Sequence, residues 1–383
     1  MKKQFGQFFT TNSDYILQGM EKFVAGKEVI DPFAGNRDLI GWASKNRAKF
    51  ASGFDCDQKY VDNVAVGYRD SINDPGKYKF VCTNPPYLHK NKASKVIKDR
   101  FFNGTYSGFE DLYQISIFSI LNSEEGILIV PLNFLCAKNS KKIRSLFFAK
   151  FKIVKLNIFS GQVFDDTTYN VISLYFRKKT DRSEKNKITA LILPENQKVD
   201  FCVEKKYDWQ LGGAFTNKVK DSPNRLGVFR LTESYLKSGD VKTELAFQNI
   251  KDKKSVLISG ENKRIINRNI LTLRAIDSKN GKKIQLEDIR QYGISGLVGK
   301  VSSRNMAHLI FKEEVSIVTQ MELMNKFNER LNKERAKYSS FFLTNFRDNN
   351  RKRISFDFVY NFLNYLYWCD APQARLRSTA PKT

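Results

Sequence analysis

The segment with the clearest chemical capacity is Thr83-Asn84-Pro85-Pro86-Tyr87, which follows the apolar run Tyr78–Cys82. Two prolines directly after a strand remove backbone donors and fix φ, so the loop is stiff. Its carbonyls can then only accept hydrogen bonds from outside. The Asn84 side-chain oxygen adds an acceptor, and Tyr87 adds a flat ring. Such a site fits a planar substrate bearing an amine. An amine conjugated to a ring is a poor nucleophile because its lone pair is delocalised. Two acceptors gripping its hydrogens favour a pyramidal nitrogen whose lone pair points at an electrophilic carbon, a stabilisation built for the transition state. A purely stiff turn is the competing explanation, and two upstream elements speak against it.

The first is Val29-Ile30-Asp31-Pro32-Phe33-Ala34-Gly35-Asn36, an apolar run that ends in an acid and turns at a glycine. Gly35 lets backbone approach a ligand closely, and the helix that follows would aim its N-terminus at that ligand. The second is Gly53-Phe54-Asp55-Cys56-Asp57. An acid about 20 residues beyond such a glycine is spaced to accept hydrogen bonds from both hydroxyls of a ribose. Asp55 directly ends the apolar run and is the preferred acid. Asp57 is placed to cap a helix.

These loops need strands behind them. Short β-rich runs occur at Lys27–Asp31, Phe50–Phe54, Tyr78–Thr83, Gly126–Pro131, Ile153–Phe159 and Val171–Phe176. Helical spacing lies between several of them, as at Leu112, Ile115 and Phe118, and at Ile143, Leu146, Phe147 and Phe151. The alternation predicts an α/β domain around a mostly parallel sheet, with ligands at the carboxyl ends of its strands. The charged stretch Lys178–Lys187 reads as a solvated connection. From about Phe215 charged residues break the apolar runs, so a second domain is expected over 215–383 after a first over 1–214. Near its end Val318, Met321, Met324, Phe327 and Leu331 form an apolar stripe that reads as core.

The chain has 383 residues, enough for two cores, and carries 65 Lys and Arg against 40 Asp and Glu, a net charge of +25. An excess that large points to a polyanionic partner, with nucleic acid first. Five scattered cysteines without a CxxC pair and only two histidines, His89 and His308, argue against a disulfide framework, a metal cluster or a Ser-His-Asp triad. No apolar run reaches the roughly 20 residues needed to span a bilayer, and the first residues, MKKQFGQFF, do not read as a signal peptide. A soluble cytoplasmic protein without membrane attachment is expected.

With these segments in register, the chain resembles the amino-methyltransferases of DNA, specifically the N6-adenine group in which a cofactor loop, Asn-Pro-Pro-Tyr and a target recognition domain follow in that order. Gly6-Gln7-Phe8-Phe9-Thr10 resembles the leading cofactor element of that group. The resemblance implies a Rossmann-like S-adenosylmethionine-dependent methyltransferase fold over 1–214 and a smaller mixed α+β domain that recognises DNA over 215–383. It implies that Thr10 contacts the methionine carboxylate of S-adenosylmethionine. It further implies that Asp31, Phe33 and Gly35 line the cofactor pocket, Asp55 holds the ribose and Asp70 contacts the adenine, with Asp74 close enough to compete. Asn84, Pro85, Pro86 and Tyr87 match the catalytic motif, Asn84 bordering the cofactor as well. The stretch Val163–Val171 resembles the element that supplies a second aromatic against the target base; Tyr169 is preferred and Phe164 is the rival. The cofactor loop departs from the group in one place, where Arg37 replaces its second glycine. The stretch RAKYSSFFLTNFRDNNRKR, Arg335–Arg353, resembles C-terminal regions of restriction-modification adenine methylases.

The expected activity is methyl transfer to adenine N6 in a base extruded from double-stranded DNA, without a metal, as the modification arm of a restriction-modification system whose endonuclease acts separately on the same site. Related Asn-Pro-Pro-Tyr enzymes act on RNA or on protein glutamine. The net charge and the short segment before the cofactor loop argue against glutamine; phosphate attraction alone does not separate RNA from DNA.

Overall fold

In a computed structural model, which describes residues 8–164, 170–278, 281–345 and 351–369, the chain divides into two units. One comprises residues up to Gly213, and the other begins at Ala214.

The first unit is built on a nine-stranded sheet. Its strands are β1 Glu28–Asp31, β2 Phe50–Asp55, β3 Val66–Tyr68, β4 Phe80–Thr83, β5 Glu125–Pro131, β6 Phe151–Phe159, β7 Val171–Lys178, β8 Lys185–Leu193 and β9 Gln197–Glu204. Their order is β3-β2-β1-β4-β5-β7-β6-β8-β9. β7 runs antiparallel to β5 and β6, and β9 antiparallel to β8; the other pairings are parallel. The strand order reverses between β1 and β4, the switch point at which an open α/β sheet leaves a crevice outside its carboxyl ends. β4 is buried along its whole length, as expected of a central parallel strand.

The helices of this unit include α1 Asp38–Lys45, α2 Lys95–Phe101, α3 Leu112–Ser119 and α4 Lys141–Lys150. α1 buries Leu39, Ile40, Trp42 and Ala43 and packs against β1 and β2. Gly53 on β2 permits that packing. A Cβ there would lie 2.5 Å from the Asp31 carbonyl and 2.8 Å from Ala34 Cβ. Lys178–Lys187 proves to be only partly a connection, because Lys178 ends β7 and β8 already begins at Lys185.

The second unit is mixed α+β. An antiparallel sheet runs β10-β16-β13-β14, with β10 Phe229–Arg230, β13 Leu271–Arg274, β14 Gln285–Asp288 and β16 Met306–Ile310. A three-stranded sheet runs β12-β11-β15, with β11 Ser238–Phe247, β12 Lys253–Ile258 and β15 Gly296–Val298. The helices of this unit include α5 Gly260–Asn267, α6 Ile317–Lys337 and α7 Phe356–Cys369. Leu323, Phe327 and Leu331 of α6 share one core with Val359, Phe362 and Leu363 of α7. The apolar stripe of α6 is displaced from the one expected. Val318 is 68% and Met321 42% exposed, and the buried line starts at Gln320 instead. The reason is polar: Gln320 Oε1 accepts from Ile270 N at 2.9 Å while its Nε2 donates to Arg268 O and Val315 O, so the first turn buries an amide that closes backbone ends. Among the described residues no helix is long and apolar enough to cross a membrane.

Candidate active site

The carboxyl ends of β1, β2 and β4 converge on a cavity enclosing about 780 Å³, the open space at its mouth included. Of the residues singled out from the sequence, Thr10, Asp31, Phe33, Gly35, Asp55, Asp70, Asn84 and Pro86 line it. Pro85 and Tyr87 are turned into the protein, and Tyr169 lies outside the described residues.

Asp31 ends β1. Its Oδ1 accepts from Thr83 Oγ1 on β4 at 2.6 Å and from Phe33 N at 3.0 Å, which ties the loop to the central strands. Gly35 turns that loop at φ 46°, in the left-handed region, and donates its N–H to Asp55 Oδ2 at 2.9 Å. The other Asp55 oxygen accepts from Asp57 N at 2.8 Å. Each oxygen keeps a lone pair beyond these bonds. Asp57 caps a short helical turn by accepting from Lys59 N. Asp70 is held on both sides: Arg100 Nη2 donates to it at 2.6 Å and Asn73 Nδ2 at 2.9 Å. Asp74 faces away, to Arg69 at 3.2 Å, and is 74% exposed.

Arg37, which stands where the related loops have glycine, adopts φ 68°. The side chain therefore enters the backbone region that glycine enters freely, at a cost of about 1–2 kcal/mol. Its guanidinium reaches Asp62 Oδ2 at 2.5 Å, and Asp62 Oδ1 accepts from three successive backbone N–H groups, of Val64, Ala65 and Val66. The loop thus keeps its turn without the second glycine.

Asn84 sits at the end of β4 with all its polar atoms engaged. Its Nδ2 donates to Phe8 O at 2.8 Å and to Thr10 Oγ1 at 3.1 Å. Its Oδ1 lies 2.6 Å from the Tyr87 hydroxyl, which is also 2.8 Å from Ile129 O. Thr10 is anchored in turn by its N–H to Asp38 Oδ2 at 2.9 Å. The flat ring of Tyr87 is turned inward. Tyr87 is 6% exposed, and its ring meets Phe8, Tyr113 and Phe164 at centroid distances of 5.4, 6.3 and 6.5 Å. A hydroxyl with two buried acceptors pulls the ring inward. Burial holds its pKa well above the usual value, so it stays a donor.

The cavity is acidic within a strongly basic chain. Burial pushes Asp31 up to about 7. Burial also raises Asp38 and Asp55. At Asp70 burial is outweighed by hydrogen bonds from Arg100 and Asn73, and the carboxyl lies below its usual range. Carboxylates desolvated together are poised for a ligand that carries positive charge. α1 adds an N-terminus without a side-chain cap, suited to an anionic group. A ligand with both a cationic centre and a carboxylate fits this donor set. Asp38, Phe8 and Phe9 also line the cavity, and sequence reasoning had not assigned them. Asp38 carried one signal, an acid in the first turn of a helix after a glycine loop.

This strand order, with β7 reversed and an acidic cavity at the switch point beside Asn-Pro-Pro-Tyr, defines a Rossmann-like methyltransferase unit. Residues 14–164 match the family model described as Eco57I restriction-modification methylase. A comparison with curated proteins found no match. Among solved structures, the type IIG restriction endonuclease BpuSI is 11% identical over 67% of this chain and 43% of its own, with a TM-score of 0.42. The methyltransferase subunit of a type I restriction-modification system from Streptococcus thermophilus is 15% identical over 49% of this chain and 48% of its own, with a TM-score of 0.34. The M protein of the type I restriction enzyme EcoKI is 16% identical over 49% of this chain and 48% of its own, with a TM-score of 0.31. The chain spans under half the length of each.

Proposed function

We propose that the chain is a site-specific DNA methyltransferase that uses S-adenosylmethionine to methylate adenine N6 in double-stranded DNA, as the modification arm of a restriction-modification system. The observation that carries the reading is the shared wall of the cavity. Asn84 lies at its rim, bonded to Thr10, while Asp31 and Asp55 line the same space. S-adenosylmethionine supplies an activated methyl group. Asp55 offers spare lone pairs to the ribose hydroxyls. The carboxylates of Asp31 and Asp38 balance positive charge, and Thr10 with the α1 N-terminus takes the methionine carboxylate. Asp70, already paired with Arg100, is left with little capacity to take an adenine amine, and its part is to hold the wall.

Asn84 acts on the amine. Phe8 O and Thr10 Oγ1 take its Nδ2 hydrogens and so orient Oδ1. The Tyr87 hydroxyl has one proton and two acceptors, at 2.6 and 2.8 Å. When a substrate N–H reaches Asn84 Oδ1, that proton turns to Ile129 O without movement of a heavy atom. Asn84 then accepts from the amine and keeps its lone pair directed outward. The proton displaced by methylation leaves to water.

The second unit supplies sequence recognition in this reading. Several basic residues of this unit have tasks inside the fold. Lys253 Nζ donates to Tyr292 O at 2.7 Å, Lys254 pairs with Asp252 at 3.6 Å, Arg274 grips Glu287 at 2.7 Å and Lys352 is buried. Exposed Lys251 and Arg264 are better placed for phosphates. The test is transfer of a radiolabelled methyl group to duplex DNA, RNA and protein offered separately. Label in DNA alone is expected; label in RNA or protein alone would replace the substrate class.

A further inference from the structure

We infer that Phe8 holds the place of the target base and has to leave it before a base can stack on Tyr87. The inference rests on the DNA reading above. Phe8, Tyr87 and Phe164 form a closed triangle. Phe8 lies 5.4 Å from Tyr87 and 6.1 Å from Phe164 between ring centroids, and Tyr87 lies 6.5 Å from Phe164 at 63°. A base sandwiched between two rings needs about 3.5 Å to each, so parallel walls about 7 Å apart. The two rings are neither parallel nor that far apart, and the space beside both is filled by Phe8.

Burial shows which ring can give way. Tyr87 is 6% and Phe164 4% exposed, whereas Phe8 is half-buried. Tyr87 is further held by its hydroxyl bonds to Asn84 and Ile129. The residues after Phe8 are fastened independently: Phe9 packs edge-on against Tyr60 at 6.1 Å, and Thr10 bonds Asp38. The Phe8 ring can therefore swing out while Phe9 and Thr10 stay in place.

Only the ring stands in for the base: Phe8 O takes a hydrogen of Asn84 Nδ2 and so keeps the catalytic amide oriented, while the ring occupies the stacking surface. The base enters by exchange: a flat apolar ring leaves a wall of aromatic rings as another flat ring arrives. Phe8 is a positioning residue, since it acts through Tyr87 and Asn84, and it sets a threshold that each base must pass. A base that stacks poorly fails to displace it.

A binding cycle with the full chain and no cofactor tests this. Dissociation constants are measured for two duplexes containing the recognition sequence, one with the target adenine and one with an abasic site in its place, for wild type, Phe8→Ala and Phe8→Trp. Phe8→Ala is expected to favour the adenine duplex over the abasic one at least fivefold more than wild type does, because the base no longer competes. Phe8→Trp is expected to shift the ratio the other way. Phe8→Leu serves if the alanine variant fails to fold. An unchanged ratio, or one that falls in Phe8→Ala, overturns the inference and makes Phe8 a fixed wall. Failure of the DNA reading looks different: wild type then methylates no duplex.

Discussion

The two units handle charge in opposite ways. In the first, four acids line one cavity, and burial pushes Asp31, Asp38 and Asp55 up, with Lys59 offsetting only part of the shift at Asp55. In the second, the buried acid Asp277 is matched: Arg335, 1% exposed, grips it through two nitrogens at 2.9 and 2.6 Å. Asp277 also accepts from Lys283 N and Ile284 N, which join the run before β14. One arrangement is left open on the cavity side; the other is complete and holds a fold together. A charge count cannot tell them apart, because both kinds of residue contribute equally to it.

The largest expected effect falls on the completed pair. Arg335→Ala leaves a buried carboxylate without its cation and should cost the second unit about 3–5 kcal/mol. Denaturant unfolding followed by a probe in each unit would register it. Loss confined to the second unit, with unchanged cofactor affinity, is expected; equal loss in both would dissolve the contrast.

Asp55→Ala comes next. Removing a charged acceptor costs about 1.5–3 kcal/mol, or roughly tenfold to a hundredfold in cofactor affinity, with DNA binding unaltered. Calorimetry that finds the affinity unchanged would move the ribose contact elsewhere.

A smaller effect follows from Asp31, whose carboxyl is raised to about 7 by burial. The folded chain holds this proton at pH values where the unfolded chain has released it. The associated stability is therefore lost as pH rises from the usual carboxylate range through about 7. A cationic ligand favours the ionised form, so its affinity should rise about tenfold per unit up to that pH and then level off. Proton release on binding, measured in buffers of different ionisation enthalpy, checks it. Asp31→Asn should bind weakly and without pH dependence across the same window.

Those three side chains also show what could be read from the sequence. Runs of apolar β-formers marked β1, β2, β4, β5, β6 and β7 within two residues at each end, most plainly β4, β5 and β7, which lie inside the sheet and are buried over most of their length. β8 and β9 escaped notice because they are half-exposed. KNKITALIL alternates lysine with buried residues, so its composition looks like a charged connection. β3 is three residues long and leaves no period to detect. In the site, residues that end strands were legible, as Asp31 and Asp55 were, since a strand end at a switch point is fixed by topology. Asp38 was not, because its part comes from Thr10, 28 positions away. Nor was the inward turn of Tyr87, which depends on the Ile129 carbonyl of another strand.

The smallest expected effect concerns Arg37. Arg37→Gly relieves a left-handed backbone but gives up an exposed contact to Asp62, so stability should change by no more than about 1 kcal/mol. Cofactor affinity should hold. A tenfold loss would give Arg37 a direct part in the cavity.

The central claim is that Asn84 works on an adenine amine. The direct measurement is a map of modified bases in genomic DNA from cells producing the wild-type chain or Asn84→Ala, with turnover of both purified proteins on the mapped sequence. N6-methyladenine at one short sequence is expected with wild type. The variant should bind cofactor normally and turn over ~10²–10³ times more slowly. Wild-type cells without methylated adenine, or a variant that keeps more than about a third of the rate where the expected loss is that large, would contradict the account.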